Sequence, residues 1–127
     1  MALLPPSRSP WWLLVFVVTA TLWTGALLGA GYLNSGVAPA WSAALTAAKV
    51  VGGGTGALAL LGSLGARRTF ALAHLGLVVG YALLLNSFAR MADGWADLAG
   101  VATFLICGAI GLALGLVADL VAYLRRR

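Results

Sequence analysis

Glutamate is absent from this chain of 127 residues, and lysine, histidine and cysteine occur once each, as Lys49, His74 and Cys107. Charged residues make up only 9% of the sequence, against roughly 25% in soluble domains. So few charges cannot cover a surface that faces water. A single cysteine excludes an internal disulfide, and a small apolar role inside a helix accounts for it. The three acidic residues are Asp93, Asp97 and Asp119, and none lies near the middle of an apolar run. No Ser-His-Asp set, Cys-His cluster or HExxH-type motif occurs, so no catalytic residue, metal ligand or bound cofactor is expected, and the chain does not read as an enzyme.

What the chain has in quantity is apolar length. Hydrophobic residues are 62% of it, and they gather in four runs of about 20 residues or more, each enough to cross roughly 30 Å of hydrocarbon at ~1.5 Å per residue. The expected spans are 11–33, 40–65, 70–89 and 98–124. Pro5, Pro6 and Pro10 keep residues 1–10 as a non-helical tail. Asn34-Ser35-Gly36 reads as a turn, with Pro39 at the start of the second helix. Gly65-Ala66-Arg67-Arg68-Thr69 reads as a tight basic turn, Arg90 to Asp97 as a short polar segment, and residues 125–127 as a basic tail. The fold class that follows is an all-α membrane protein, an antiparallel bundle of four transmembrane helices forming one domain over 11–124.

The net charge of +5 does not point to nucleic acid, because the basic residues stand at span ends and not along a groove. Arg8, Arg67, Arg68, Arg125, Arg126 and Arg127 fall on one side, whereas the other side has only Arg90 beside Asp93 and Asp97. The positive-inside rule then places both termini and the central turn in the cytoplasm, with the chain in a bacterial-type inner membrane. Aromatic belts agree: Trp11, Trp12, Phe70 and Tyr123 mark the inner interface, and Tyr32, Trp41, Phe88 and Trp95 the outer one. The arginine tail suits anionic head groups or a plain anchor at the membrane face. Arg8 and Ala38-Pro39-Ala40 imitate a signal peptide and its cleavage site, but the first run is too long for an h-region.

Lipid tails are as apolar as leucine, so helices in a bilayer associate through close backbone approach. Each span carries one glycine pair at GxxxG spacing: Gly25 and Gly29, Gly52 and Gly56, Gly76 and Gly80, Gly111 and Gly115. Four such pairs predict tight packing, within the chain or with other membrane helices. Gly52-Gly53-Gly54-Thr55-Gly56 is no phosphate loop, since no Lys-Ser/Thr pair follows. It predicts a close-contact patch or, less favoured, a local break in the second helix.

Five polar residues inside the spans are the functional candidates. Lys49 lies about 13 Å below the outer end of the second span, where a charge costs at least ~2.5 kcal/mol on insertion scales. Snorkelling outward toward Asp97 is the favoured reading, and a solute pathway the alternative. His74 and Asp119 fall at similar depth near the cytoplasmic face, where a shared hydrogen bond would serve as glue or as a proton step. His74 as a haem ligand would need a second axial ligand from another chain. Trp23 and Tyr81 sit deeper than a belt requires. Asn86 lies at about the depth of Lys49 and suits an interhelical hydrogen bond.

In size and span count the chain resembles small four-helix multidrug transporters. It lacks the membrane carboxylate that drives their proton-coupled export, so that function is not carried over. The leading expectation is a non-catalytic accessory or assembly subunit that packs against other membrane helices through glycine faces, as a homo-oligomer or in a larger complex, with the lipid bilayer as its other partner. A small transporter or pore for an anionic or polar solute, using Lys49, is the second expectation. A holin-type membrane-permeabilising protein is the third.

Overall fold

The computed structural model describes residues 4–90 and 95–125, apart from the side chains of Arg90 and of residues 95–98. Four helices account for nearly all of it: α1 (Trp11–Ser35), α2 (Trp41–Ser63), α3 (Arg67–Arg90) and α4 (Trp95–Leu124), with no strand among the described residues. All four are long and apolar enough to cross a membrane. The chain divides into two compact units, residues 1–65 and 66–127, each a hairpin of two helices. Asp93, Arg126 and Arg127, and the contacts of Arg90, Trp95 and Asp97, lie outside the described residues.

In the first hairpin the turn chemistry follows the local sequence. Gly36 takes the left-handed conformation (φ +68°), and its N–H closes α1 by donating to the Tyr32 carbonyl at 2.8 Å. That is the glycine C-cap, which a residue with a Cβ adopts only under strain. The Ser35 hydroxyl donates to Gly31 O at 2.9 Å and accepts from the Val37 N–H at 3.2 Å, so the turn satisfies its own backbone. Ala40 is extended ahead of Trp41. The helices run antiparallel, because the start of α1 meets the end of α2: the Trp12 ring lies on Gly62, and the Phe16 ring lies on Gly56. Thr55, Ala59 and Gly62 are the buried positions of α2, and Trp12 and Ala30 those of α1. The helix runs unbroken through Gly52-Gly53-Gly54-Thr55-Gly56. Thr55 donates its hydroxyl to the Val51 carbonyl at 2.7 Å, so no backbone group is freed there and the break considered from sequence does not occur.

The second hairpin is a continuous backbone seam. A methyl group on Gly76 would strike the Cys107 carbonyl, one on Gly111 the Leu72 carbonyl, and one on Gly115 the Thr69 Cα. At Gly80 it would lie 2.9 Å from the Cα and O of Phe104. Further along, a methyl group on Gly100 or Gly108 would lie 2.7 Å from the side chain of Leu84 or Leu77 respectively. Glycine here removes the side chain that would hold the backbones apart, and van der Waals contact between main chains replaces it. Ala73, Leu84 and Phe104 fill the rest of the seam and are nearly inaccessible.

α3 begins three residues before the span expected from sequence. Leu64, Gly65 and Ala66 make the turn, Gly65 with positive φ (+113°), and Arg67, Arg68 and Thr69 are already helical.

Candidate functional site

Arg68, Thr69 and Asp119 of the second hairpin gather at the end where α3 starts. A helix start leaves N–H groups without partners, and Ala66, just before Arg67, has no side chain to cap them. Asp119 supplies the cap from α4. Its Oδ2 accepts from the Thr69 backbone N–H at 2.9 Å and from the Thr69 hydroxyl at 2.7 Å. Thr69 is fully buried. Beside it, the Arg68 guanidinium donates from Nη1 to the Ala118 carbonyl at 3.1 Å. A carboxylate at the positive end of a helix dipole is also favourably placed. Thr69 carried no signal in the sequence beyond its place after two arginines. Its role follows from Gly115, which brings α4 against the Thr69 main chain and sets Asp119 one turn further on.

His74 does not join this cluster. Its Nδ1–H donates to the Phe70 carbonyl one turn back at 2.9 Å, and its ring stacks obliquely on Phe70 at 4.2 Å between centroids. Nε2 is buried without a hydrogen-bond partner among the described residues. The hydrogen bond between His74 and Asp119 that similar depth suggested is therefore absent. Asp119 is taken by the helix start, where two donors already converge, and His74 by its own helix.

Lys49 is exposed on α2 and turned away from α1. It shares a stripe with Gly53, Ala57, Leu60 and Leu64, all exposed. Helical side chains lean toward the helix N-terminus, which for Lys49 is the Trp41 end, eight residues or about 12 Å away. Tyr81 is half-buried and Asn86 exposed, both on α3. Lys49 lies in the first hairpin.

The glycine pairs divide sharply between the two hairpins. Gly76, Gly80, Gly111 and Gly115 all face the partner helix within their own hairpin. In the first hairpin only Gly56 does so among the paired glycines, with the Phe16 ring 3.3 Å from where its Cβ would stand. A Cβ at Gly25, Gly29, Gly52, Gly53 or Gly54 would meet no atom within 4 Å. On α1, Val18, Leu22, Gly25, Gly29 and Tyr32 recur at steps of four and three residues, which sets them along one side of the helix. Val18, Leu22 and Tyr32 are exposed by 46%, 66% and 52%, so Gly25 and Gly29 form a notch between large apolar side chains.

No family model matches the chain, and no curated protein or solved structure matches it.

Proposed function

We propose that this chain is a small, non-catalytic, multi-pass inner-membrane subunit, and that it holds other membrane helices against the open glycine notch of α1. The observation that carries this reading is the contrast between the hairpins. In α3 and α4 the paired glycines are consumed by contacts within the pair, whereas Gly25 and Gly29 face open space between exposed Val18, Leu22 and Tyr32. A notch of small residues flanked by large ones suits a second helix better than it suits disordered acyl chains, because close backbone approach is the main source of helix association in lipid. The four helices are read as an antiparallel bundle with both termini cytoplasmic. In support, Arg8 meets the end of α2 in the first hairpin, and Arg68 meets α4 near its C-terminal end in the second.

The test is purification in mild detergent followed by mass spectrometry of what is retained. The reading expects a stable homo-oligomer or hetero-complex from the wild type. It expects Gly25→Leu and Gly29→Leu each to release the partner chain while the purified protein stays helical and monodisperse. Retention of an unchanged assembly by both variants, or a wild type that is monomeric in mild detergent and in bilayers, overturns it.

A second reading, a small transporter or pore for an anionic or polar solute, draws on Lys49. A cation on an otherwise apolar, exposed helix face calls for a counterpart that lipid does not provide. Loss of solute flux in Lys49→Met at an unchanged protein level would favour it.

A further inference from the structure

A groove of about 590 Å³ opens on the first hairpin where α1 begins and α2 ends. We infer that it binds one anionic phospholipid, with the phosphate at Arg8 and the upper part of an acyl chain along Trp12, Phe16, Ala59 and Leu60. This inference rests on the membrane placement of the hairpin, not on the glycine-notch reading.

Three observations carry it. The first is the backbone of Arg8. It is the one non-glycine residue with positive φ (+61°) among the described residues, a conformation that costs an L-residue roughly 1–2 kcal/mol. Such strain persists only where the surroundings impose it. Here the Arg8 N–H donates to the Ser63 carbonyl at 2.8 Å, and the Trp12 indole N–H donates to the Pro6 carbonyl at 3.0 Å. The tail is thereby folded back over the hairpin end and fixed there. The second is charge. The Arg8 guanidinium makes no hydrogen bond or ion pair with the described residues, and Arg8 is exposed and borders a groove with no acidic residue in its lining. The third is the lining itself. Below Arg8 and the Ser9 and Ser63 positions, the groove is walled by Trp12, Leu13, Phe16, Ala59 and Leu60. The Ser63 hydroxyl is donated to the Leu60 carbonyl at 2.8 Å, whereas the Ser9 hydroxyl only accepts, from the Trp11 N–H, and keeps its proton. A cation and this one donor beside an apolar trough match a lipid phosphate with its first methylenes, whereas a free phosphate would use only the polar end. The buried Trp12 ring, seated on Gly62, holds the floor rigid.

The test uses the full chain in bilayers of phosphatidylcholine mixed with phosphatidylglycerol. Native mass spectrometry reads the lipid retained after ejection from the bilayer, and a phosphatidylglycerol bearing a photoreactive group high on its acyl chain reads the position. The expected result is selective retention of one phosphatidylglycerol and labelling within residues 12–16 and 59–63. Arg8→Gln should lower that retention about fivefold, the effect of losing one near-surface cation. Leu60→Trp, which fills an exposed groove wall without touching the Trp12–Gly62 contact, should lower labelling at both segments. Neutralising the tail with Arg125→Gln, Arg126→Gln and Arg127→Gln should leave both readouts unchanged. Equal retention of the two lipids by the wild type overturns the inference. So does Arg8→Gln behaving as wild type, labelling that follows the C-terminal arginines, or a cross-link between two copies at the groove in place of a lipid adduct. Competition by inorganic phosphate at concentrations that spare lipid-free protein would assign the site to a free anion and equally overturn it.

Discussion

The carboxylate of Asp119 caps a helix that begins fifty residues upstream, accepting both the backbone N–H and the hydroxyl of Thr69 through one oxygen. The contact closes the α3–α4 hairpin at the end opposite its connection. Asp119→Ala leaves a buried hydroxyl and a helix-start N–H without acceptors, at a cost of about 2 kcal/mol. Asp119→Asn keeps an acceptor and loses the charge, so it should cost about half as much. Thr69→Val alone removes one donor. In a double-mutant cycle Asp119→Ala and Thr69→Val should be strongly non-additive. Thermal unfolding in a single detergent, read by loss of helical signal, checks the order. Additive losses would show that the two residues do not act as a pair.

The glycines predict opposite outcomes for the same substitution. Gly76→Ala or Gly111→Ala drives a methyl group into a carbonyl of the facing helix, and backbone cannot rotate away as a side chain can. Each should destabilise the second hairpin by about 2 kcal/mol. Gly25→Ala and Gly52→Ala meet open space and replace glycine within a helix, so each should hold or raise the stability of the isolated chain by up to about 1 kcal/mol. Thermal unfolding of the four variants side by side decides this. Equal losses at all four positions would mean that the first hairpin is as closely packed as the second.

Much of the fold was legible because apolar runs of this length read as helices. Run length and flanking arginines located all four helices, and the expected boundaries at Trp11 and Leu124 are those observed. The start of α3 was not legible. Arginine pairs after a glycine read as a turn, whereas α3 already includes Arg67 and Arg68 and has its Thr69 N–H capped by Asp119 from a distant part of the sequence. GxxxG spacing likewise shows where small residues lie but not which of their faces is covered: Gly76 and Gly25 look alike in the sequence, and only the first has a carbonyl against it. The levels of His74 and Asp119 were misjudged as well: Gly111 lies against Leu72 and Ala73 and Gly115 against Thr69, so Asp119 stands level with the start of α3, beyond the reach of His74, and it meets Thr69 while His74 bonds to Phe70 of its own helix. The groove beneath Arg8 left no trace in composition, because it depends on the backbone conformation of a single residue.

Lys49 separates the two functional readings. On an exposed face of α2, it should be dispensable for folding. Lys49→Met removes a membrane charge and should raise the amount of inserted protein or leave it unchanged. If the chain is a packing subunit, retained partners in the mild-detergent assay should be the same as for the wild type. A fall in solute flux at equal protein level would move the weight to transport. A fall in protein level would show that Lys49 holds a contact the hairpin needs.

The proposed orientation, with both termini cytoplasmic, predicts which positions an impermeant reagent can reach. In a Cys107→Ser background, Ser35→Cys at the α1–α2 turn should react with an impermeant maleimide added to intact cells. Ser7→Cys and Arg125→Cys should react only after the membrane is opened. The physical ground is that moving the Arg67-Arg68 pair and the terminal arginines across the membrane opposes the charge bias that sets topology. Cys107 itself must be removed, because it is free and only half-buried in α4. Reaction at Ser7→Cys and Arg125→Cys from opposite faces would require an odd number of crossings, and one of the four helices would then have to lie along the membrane or outside it.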